Sequence, residues 1–340
     1  MSEKLTKDLE TDFNEILLII EKAKENAFRA VNHELISMYW EIGKYISEKV
    51  KSDVWGKSVV EQFSAFIQNK FLGIKGFSAQ NVWRMKQFYE TYQENEKLSP
   101  LVREIPWTHN MLIMVGAKSD EAREFYLTLT LKNNYSKRDL DRQIDSMLFE
   151  RTMISDKKNK LLVSKNSALS ALRDNYTLEF LDIPSEHKEM ELRKAIVSNL
   201  KNFILEFGKD FSFVGEEYKL QVGNTDFFID LLFFNRELSC LVAIDLKTGT
   251  FKPEHIGKME FYLEALDRDV KKPNENPSVG LILCASKDDT VVEYALNRSI
   301  SPTLVADYKL HLPDKKILED KLRELRELAE NENSKETENM

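Results

Sequence analysis

The sequence predicts a two-domain α+β chain, in which an all-helical N-terminal half precedes an α/β half of order α-β-β-β-α-β-α-β. Three observations predict it. Through the first 150 residues, apolar side chains recur every three to four positions, the helical period. From residue 211 they gather instead into short runs rich in Phe, Ile, Leu and Val, separated by helix-period segments. Between the halves lies the most basic stretch of the chain. There Arg151, Lys157, Lys158, Lys160, Lys165 and Arg173 face only Asp156 before Asp174.

In the first half, residues 8–28 set Phe13, Ile16, Leu17, Ile20 and Ala23 at helical spacing. Residues 29–50 repeat the pattern as a second helix with Val31, Leu35, Tyr39, Ile42 and Ile46. A third helix is expected from Lys57 to Lys70, closed by Gly73 and Gly76. Ser78 suits the cap of a fourth over 79–93, which carries Val82, Met85, Phe88 and Tyr89. Its other face holds Gln80, Asn81, Arg84, Lys86 and Gln87. Helix, turn and polar-basic helix fit a helix-turn-helix reader, with Arg84 and Lys86 as DNA contacts. They also fit an ordinary bundle helix with a solvated face. His109, after Pro106 and Trp107, suits a hydrogen-bonded helix start. Ser119 before Asp120 and Glu121, and Ser136 before Asp139, begin further helices, the last reaching about Arg151.

The expected division is a helical domain 1–151, a basic linker 152–175, an α/β domain 176–313 and an acidic helical tail 314–340. The linker fits a solvated connector or a strap against phosphates. In the α/β domain a helix runs from 186 to Phe207, where Gly208 suits the position after its end. Strands follow at 211–222, 225–234 and 239–247, a helix from Pro253 to Leu266, a strand at 278–285, a helix at 290–297 and a strand at 303–310. In the tail, Ile317, Leu318, Leu322, Leu325 and Leu328 keep a helical period.

Composition narrows the function. The net charge of −8 gives no global basic field, so any nucleic-acid contact must use local patches. Cys240 and Cys284 each sit in an apolar run and read as buried thiols. Neither has CxxC spacing, and the five histidines are scattered, so no zinc pattern is present. The charged N-terminal stretch is no secretory signal, and no apolar run approaches the roughly 18 residues of a membrane span. The chain reads as cytoplasmic, with no membrane partner.

The chemistry concentrates in residues 225–249, TDFFIDLLFFNRELSCLVAIDLKTG. Two apolar strands joined by a turn near Glu237 carry Asp226, Asp230, Asp245 and Lys247. Alternation puts Asp245 and Lys247 on one face, and an antiparallel hairpin brings Asp230 opposite or diagonal to Asp245, at roughly 5–8 Å. Charges in such runs need compensation. Two carboxylates suit Mg²⁺, which takes one or two of them and keeps waters and phosphate oxygens. A neighbouring lysine could orient the attacking water or stabilise the pentavalent charge. The same residues fit a structural ion pair in which Lys247 bridges the two aspartates. Asp226 is a secondary candidate.

These residues resemble the PD-(D/E)XK nuclease signature. Ile229-Asp230, a spacer of fourteen residues and Asp245-Leu246-Lys247 match it, with Ile229 in place of the proline. The wider string FVGEEYKLQVGNTDFFIDLLFFNRELSCLVAIDLKTGTFKPEHIGKMEFYLEALD resembles the YhcG-type family. YWEIGKYI (39–46), GFSAQNVWRMKQFY (76–89) and PWTHN (106–110) resemble that family's N-terminal domain. The resemblance implies a restriction-endonuclease-like second domain. It implies phosphodiester hydrolysis, with DNA the expected substrate, and Mg²⁺ or Mn²⁺ held by Asp230 and Asp245. The competing class is a non-catalytic nucleic-acid-binding or assembly protein that keeps the fold. A second copy or a protein partner could bind through the helical domain.

Lys258-x3-Tyr262 resembles a Gln-x3-Tyr pair found on the corresponding helix of some superfamily nucleases, with lysine able to contact phosphate. Members of the superfamily often supply a glutamate from the helix before the sheet. Arg193 stands where it would be expected. Helical geometry offers Glu189: at about 100° per residue it falls near the centre of the Leu192, Ile196, Leu200, Phe203, Ile204 and Phe207 stripe, whereas Glu191 points away. Arg193, one turn on, could pair with Glu189 or with phosphate.

Overall fold

The computed structural model describes residues 2–52, 55–154, 169, 172–208, 210–297, 299 and 301–324, without the side chains of residues 2–12 and 25. Most of the basic stretch 152–175, and the tail beyond 324 with Leu325 and Leu328, lie outside the described residues. The chain divides into two compact units, 1–144 and 145–340.

The first unit is helical: α1 (Ser2–Lys51), α2 (Lys57–Lys70), α3 (Ala79–Tyr92), α4 (Leu98–Glu104), α5 (Trp107–Gly116), α6 (Asp120–Asn133) and α7 (Lys137–Asp145). The expected first two helices are one. No glycine or proline precedes Gly43, so nothing breaks the helix between residues 28 and 29. Its later part is the buried part, through Ile36, Tyr39, Trp40 and Ile46, while Phe13, Ile16, Leu17 and Ile20 are exposed. At Gly43 the helix meets α3, where a Cβ would run into the Met85 carbonyl oxygen. Tyr39, Trp40, Phe77, Phe88, Tyr92 and Trp107 form a chain of edge-on aromatic contacts. Ser78 caps α3 through the Asn81 N–H and Ser119 caps α6 through that of Ala122. Ser136 and Asp139 bond reciprocally before α7. Two departures have local causes. Asn95 accepts the N–H groups of Lys97 and Leu98 and so starts α4, a helix the apolar period did not reveal. α7 stops at Asp145 rather than Arg151, because Met147 is left-handed (φ 52°) before helix resumes over 148–154.

The second unit is built on a six-stranded sheet: β1 (Asn175–Thr177), β2 (Phe211–Val222), β3 (Thr225–Asn235), β4 (Cys240–Thr250), β5 (Val279–Ser286) and β6 (Thr303–Lys309). Its order is β1-β6-β5-β4-β3-β2. β2, β3 and β4 pair antiparallel, and β4, β5, β6 and β1 pair parallel. Around the sheet lie α8 (Glu189–Ser198), α9 (Leu200–Phe207), α10 (Glu254–Ala265) and α11 (Asp289–Leu296), and residues 148–154 and 315–324 are also helical. The single helix expected over 186–207 is therefore split. Asn199 leaves helical geometry and turns its amide back onto the Ala195 carbonyl. Alternation along β4 assigns the two cores: Val242, Ile244 and Leu246 pack with Leu192, Ile196 and Phe203, while Leu241 and Ala243 pack with Ile256, Met259 and Tyr262.

β1, a strand the apolar pattern does not predict, starts at Asn175, the last residue of the expected linker. Two of the basic side chains assigned to that linker are internal to this unit. Arg151 pairs with the fully buried Glu206 at 2.9 Å and donates to the Ser146 carbonyl. Arg173 donates to the Glu206 carbonyl. No described helix is long and apolar enough to cross a membrane.

Candidate active site

The β3–β4 hairpin sets the site. Its ladder pairs Asn235 with Cys240 through to Leu231 with Ile244 and then ends. The next facing residues in that register are Asp230 and Asp245. Beyond this point β3 pairs only with β2, and β4 only with β5, so the strands part where the two carboxylates stand. The Leu246 N–H, past the end of the ladder, is satisfied by Asp230 Oδ2 at 2.9 Å.

Asp245 is 1% exposed. The Lys258 ammonium, on α10, donates to its Oδ1 at 2.8 Å. The Lys247 ammonium lies 2.8 Å from Oδ2 as an ion pair, yet without hydrogen-bond geometry, so Oδ2 is a buried oxygen with no donor. Lys247 also donates to the Leu246 carbonyl at 2.8 Å and lies 3.5 Å from both Glu189 carboxylate oxygens. It does not bridge the two aspartates; its second acid is Glu189, at the start of α8. The rotation inferred for that helix agrees with this geometry: Glu189 is on the site side, while Glu191 turns back to accept the Lys188 N–H.

Arg193, 9% exposed, lies 3.4 Å from Asp230 Oδ1 and 2.8 Å from Glu217. Glu189 is not its partner. The sequence did not single out Glu217. It is left-handed at φ 43° on β2, a strand whose register slips between Phe213 and Gly215, and this irregularity lies outside any period-2 reading. Asp226 is half-exposed and pairs with Lys219 at 2.8 Å. Tyr262 is buried and its hydroxyl donates to the Phe228 carbonyl, with the Lys258 ammonium 5.2 Å from its ring centre. His255 accepts the Lys252 N–H in the turn before α10.

The electrostatics follow from these contacts. Burial and the facing Asp245 charge raise the Asp230 pKa above the ordinary aspartate value, against the pull of the Leu246 N–H. Burial alone would lower the Lys258 pKa, but the hydrogen bond and charge of Asp245 outweigh it and the net shift is upward. Burial, then the Lys247 charge, lowers that of His255.

Among the described residues no group of three His, Cys, Asp or Glu side chains is placed to hold a metal. The donor set nevertheless fits a hard divalent ion. Mg²⁺ needs only one or two carboxylates from the protein, and Asp245 Oδ2 is a buried acceptor without a donor.

In the helical unit, Arg84 is exposed beside a cleft of about 340 Å³ lined also by Asn81, Trp107 and Lys137. Lys86 is bound to Glu90 at 2.6 Å and half-buried. Asn81 is spent on the Gly76 carbonyl and the Trp107 indole.

Two family models match the chain: the YhcG PDDEXK nuclease domain over residues 169–323 and the DUF1016 N-terminal domain over 15–151. The Escherichia coli K12 protein named "Putative nuclease YhcG" is 31% identical, over 95% of this chain and 96% of its own. The chain belongs to the YhcG family. Its second unit is thus a PDDEXK nuclease domain of restriction-endonuclease-like fold, and the family's domain covers the whole six-stranded sheet. Solved structures are more distant. A repair endonuclease from Pyrococcus abyssi has 18% identity over 38% of this chain and 49% of its own, with a TM-score of 0.27. EndoMS in apo form has 14% over 38% and 48%, with a TM-score of 0.25. Neither is near enough to bear on the site.

Proposed function

We propose that this protein is a metal-dependent nuclease that hydrolyses phosphodiester bonds in DNA, with Mg²⁺ or Mn²⁺ held by Asp230 and Asp245. One observation carries the reading: the β3–β4 ladder ends where these carboxylates face each other, leaving Asp245 Oδ2 buried with no donor beside Lys247. The bound ion would polarise the phosphate and lower the pKa of a bound water. The Lys247 ammonium would hold the attacking water or the charge growing on the phosphate oxygens. Glu189 keeps Lys247 turned into the site from the opposite side. Arg193 steadies Asp230. DNA would be approached by exposed cations, Arg84 in the helical unit among them; Lys86, neutralised by Glu90, is a poorer candidate. The exposed apolar residues Phe13, Ile16, Leu17, Phe28 and Val31 of α1 support contact with a second copy or a protein partner.

The test uses the full chain with single-stranded and duplex DNA and Mg²⁺ or Mn²⁺. Cleavage is expected with either ion, together with a rise in melting temperature that follows metal concentration. At a hundredfold excess over Kd the added stability is about 2.7 kcal/mol. Asp230→Asn should remove the rise. Absence of both cleavage and metal-dependent stabilisation would defeat the proposal.

The two glutamates of α8 separate in the same assay. Glu189→Gln weakens the hold on Lys247 and should slow cleavage by about 10- to 100-fold, the usual effect of losing a residue that orients a metal site. Glu191→Gln touches only the helix start and should leave the rate within about twofold. Equal rates for the two variants would mean that Glu189 has no part in the chemistry.

A further inference from the structure

The ammonium of Lys258 occupies an oxygen that a metal would need. Asp245 is buried, and both its oxygens are within 2.8 Å of a lysine. A buried carboxylate requires such compensation, and a divalent ion would supply it instead. One lysine must then yield, and the two are held very differently. Lys247 is 14% exposed, is tied to the Leu246 carbonyl and lies beside Glu189, so leaving would strand its charge. Lys258 is 47% exposed at the surface of α10, and Asp245 is its one ion-pair partner among the described residues. Its other contact is the face of Tyr262, which a bond to the Phe228 carbonyl fixes in place. It can swing into water and leave no buried donor unsatisfied.

We propose that Lys258 is a displaceable counter-ion of the site: it neutralises Asp245 while no metal is bound and gives up Oδ1 when a divalent cation arrives. This inference rests on the nuclease reading above and adds a regulatory consequence. Metal affinity is held down by an internal competitor, and anything that draws the ammonium away tightens it. A phosphate of the substrate is such a group, because the Lys258 side chain is already 47% exposed and carries a charged donor. Metal and nucleic acid then favour each other's binding, as linkage requires.

Mn²⁺ binding to the full chain, followed by the loss of the free-ion paramagnetic resonance signal, tests this without any cleavage. Lys258→Gln removes the competitor and should bind Mn²⁺ about five- to tenfold more tightly than the unchanged protein. Lys258→Arg keeps a competing charge and should stay within about twofold. In metal-free buffer, Lys258→Gln should melt lower than the unchanged protein, and saturating Mn²⁺ should erase the difference. A merely structural lysine would lower the melting temperature with and without the ion and would not raise affinity. If the unchanged protein binds Mn²⁺ and Lys258→Gln binds it equally or less well, the counter-ion role is wrong and the nuclease reading stands. If neither binds Mn²⁺, the counter-ion role falls, and the nuclease reading falls with it if cleavage is absent too.

Discussion

Asp245→Asn is expected to reduce DNA cleavage by more than about a thousandfold while leaving the protein folded. A metal acting as Lewis acid is worth several kcal/mol of transition-state stabilisation, and each 1.36 kcal/mol is about a factor of ten in rate. Asparagine keeps the volume of a side chain that is 1% exposed, so the surrounding core is not opened. What the metal-free protein loses is the negative partner of two ammonium groups. Lys258, half in water, can turn away, and Lys247 retains Glu189 and the Leu246 carbonyl. The stability cost should therefore resemble the loss of a charged hydrogen bond, about 1.5–3 kcal/mol. Asp226→Asn is the matched control: on the same hairpin, but half-exposed and paired with Lys219, it should leave cleavage and melting nearly unchanged. Rates measured on the purified variants decide it. An Asp245→Asn protein that still cleaves at the unchanged rate would take Asp245 out of the site.

The contrast between those aspartates marks what a sequence can carry. Strand alternation and the hairpin were enough to set Asp230 against Asp245 and to put Lys247 beside it, because both are local consequences of backbone geometry. Helical rotation was enough to separate Glu189 from Glu191. Asp226 looked similar to Asp230 in the sequence, since both interrupt one apolar run. Hairpin register ranks Asp230 first, and the end of the ladder at Leu231 with the exposed edge beyond it shows why: Asp226 lies out in solvent, paired with Lys219.

The remaining site contacts depend on where distant elements meet. Lys258 reaches Asp245 only because α10 lies across the face of β4 that carries Ala243 and Asp245. Arg193 reaches Glu217 only because β2 carries a left-handed residue there. Neither is encoded by a period. β1 was missed for the same reason: three residues are too few to show alternation, and their partners in β6 lie some 130 positions away, Asn175 against Asp307. α1 failed differently. Its apolar period is real, but a period carries no end signal, and one helix runs where two are expected; over Phe13 to Ile20 it faces no core within the described residues.

Arg151 stands in sequence beside a basic stretch that fits a solvated connector or a phosphate strap, and its environment gives it a different role with a large expected effect. Its guanidinium, 8% exposed, bonds Glu206, the Ser146 carbonyl and the Ser146 hydroxyl. Glu206, fully buried at the end of α9, also accepts the Thr177 N–H of β1. One carboxylate thus ties the residues entering the second unit, the last helix before the hairpin and the edge strand. Arg151→Met keeps the apolar stem but leaves Glu206 buried with its charge uncompensated, the case that costs about 3–5 kcal/mol. In a unit of 145–340 that corresponds to a melting temperature lower by roughly 10 °C. Below that temperature the affinity for DNA, and its dependence on salt, should match the unchanged protein, because a guanidinium spent on Glu206 has no phosphate to release. A phosphate-contacting arginine would behave in the opposite way: melting would hold, affinity would fall, and the slope of log affinity against log salt would shrink by about one. Thermal denaturation followed with DNA titrations at several salt concentrations distinguishes the two.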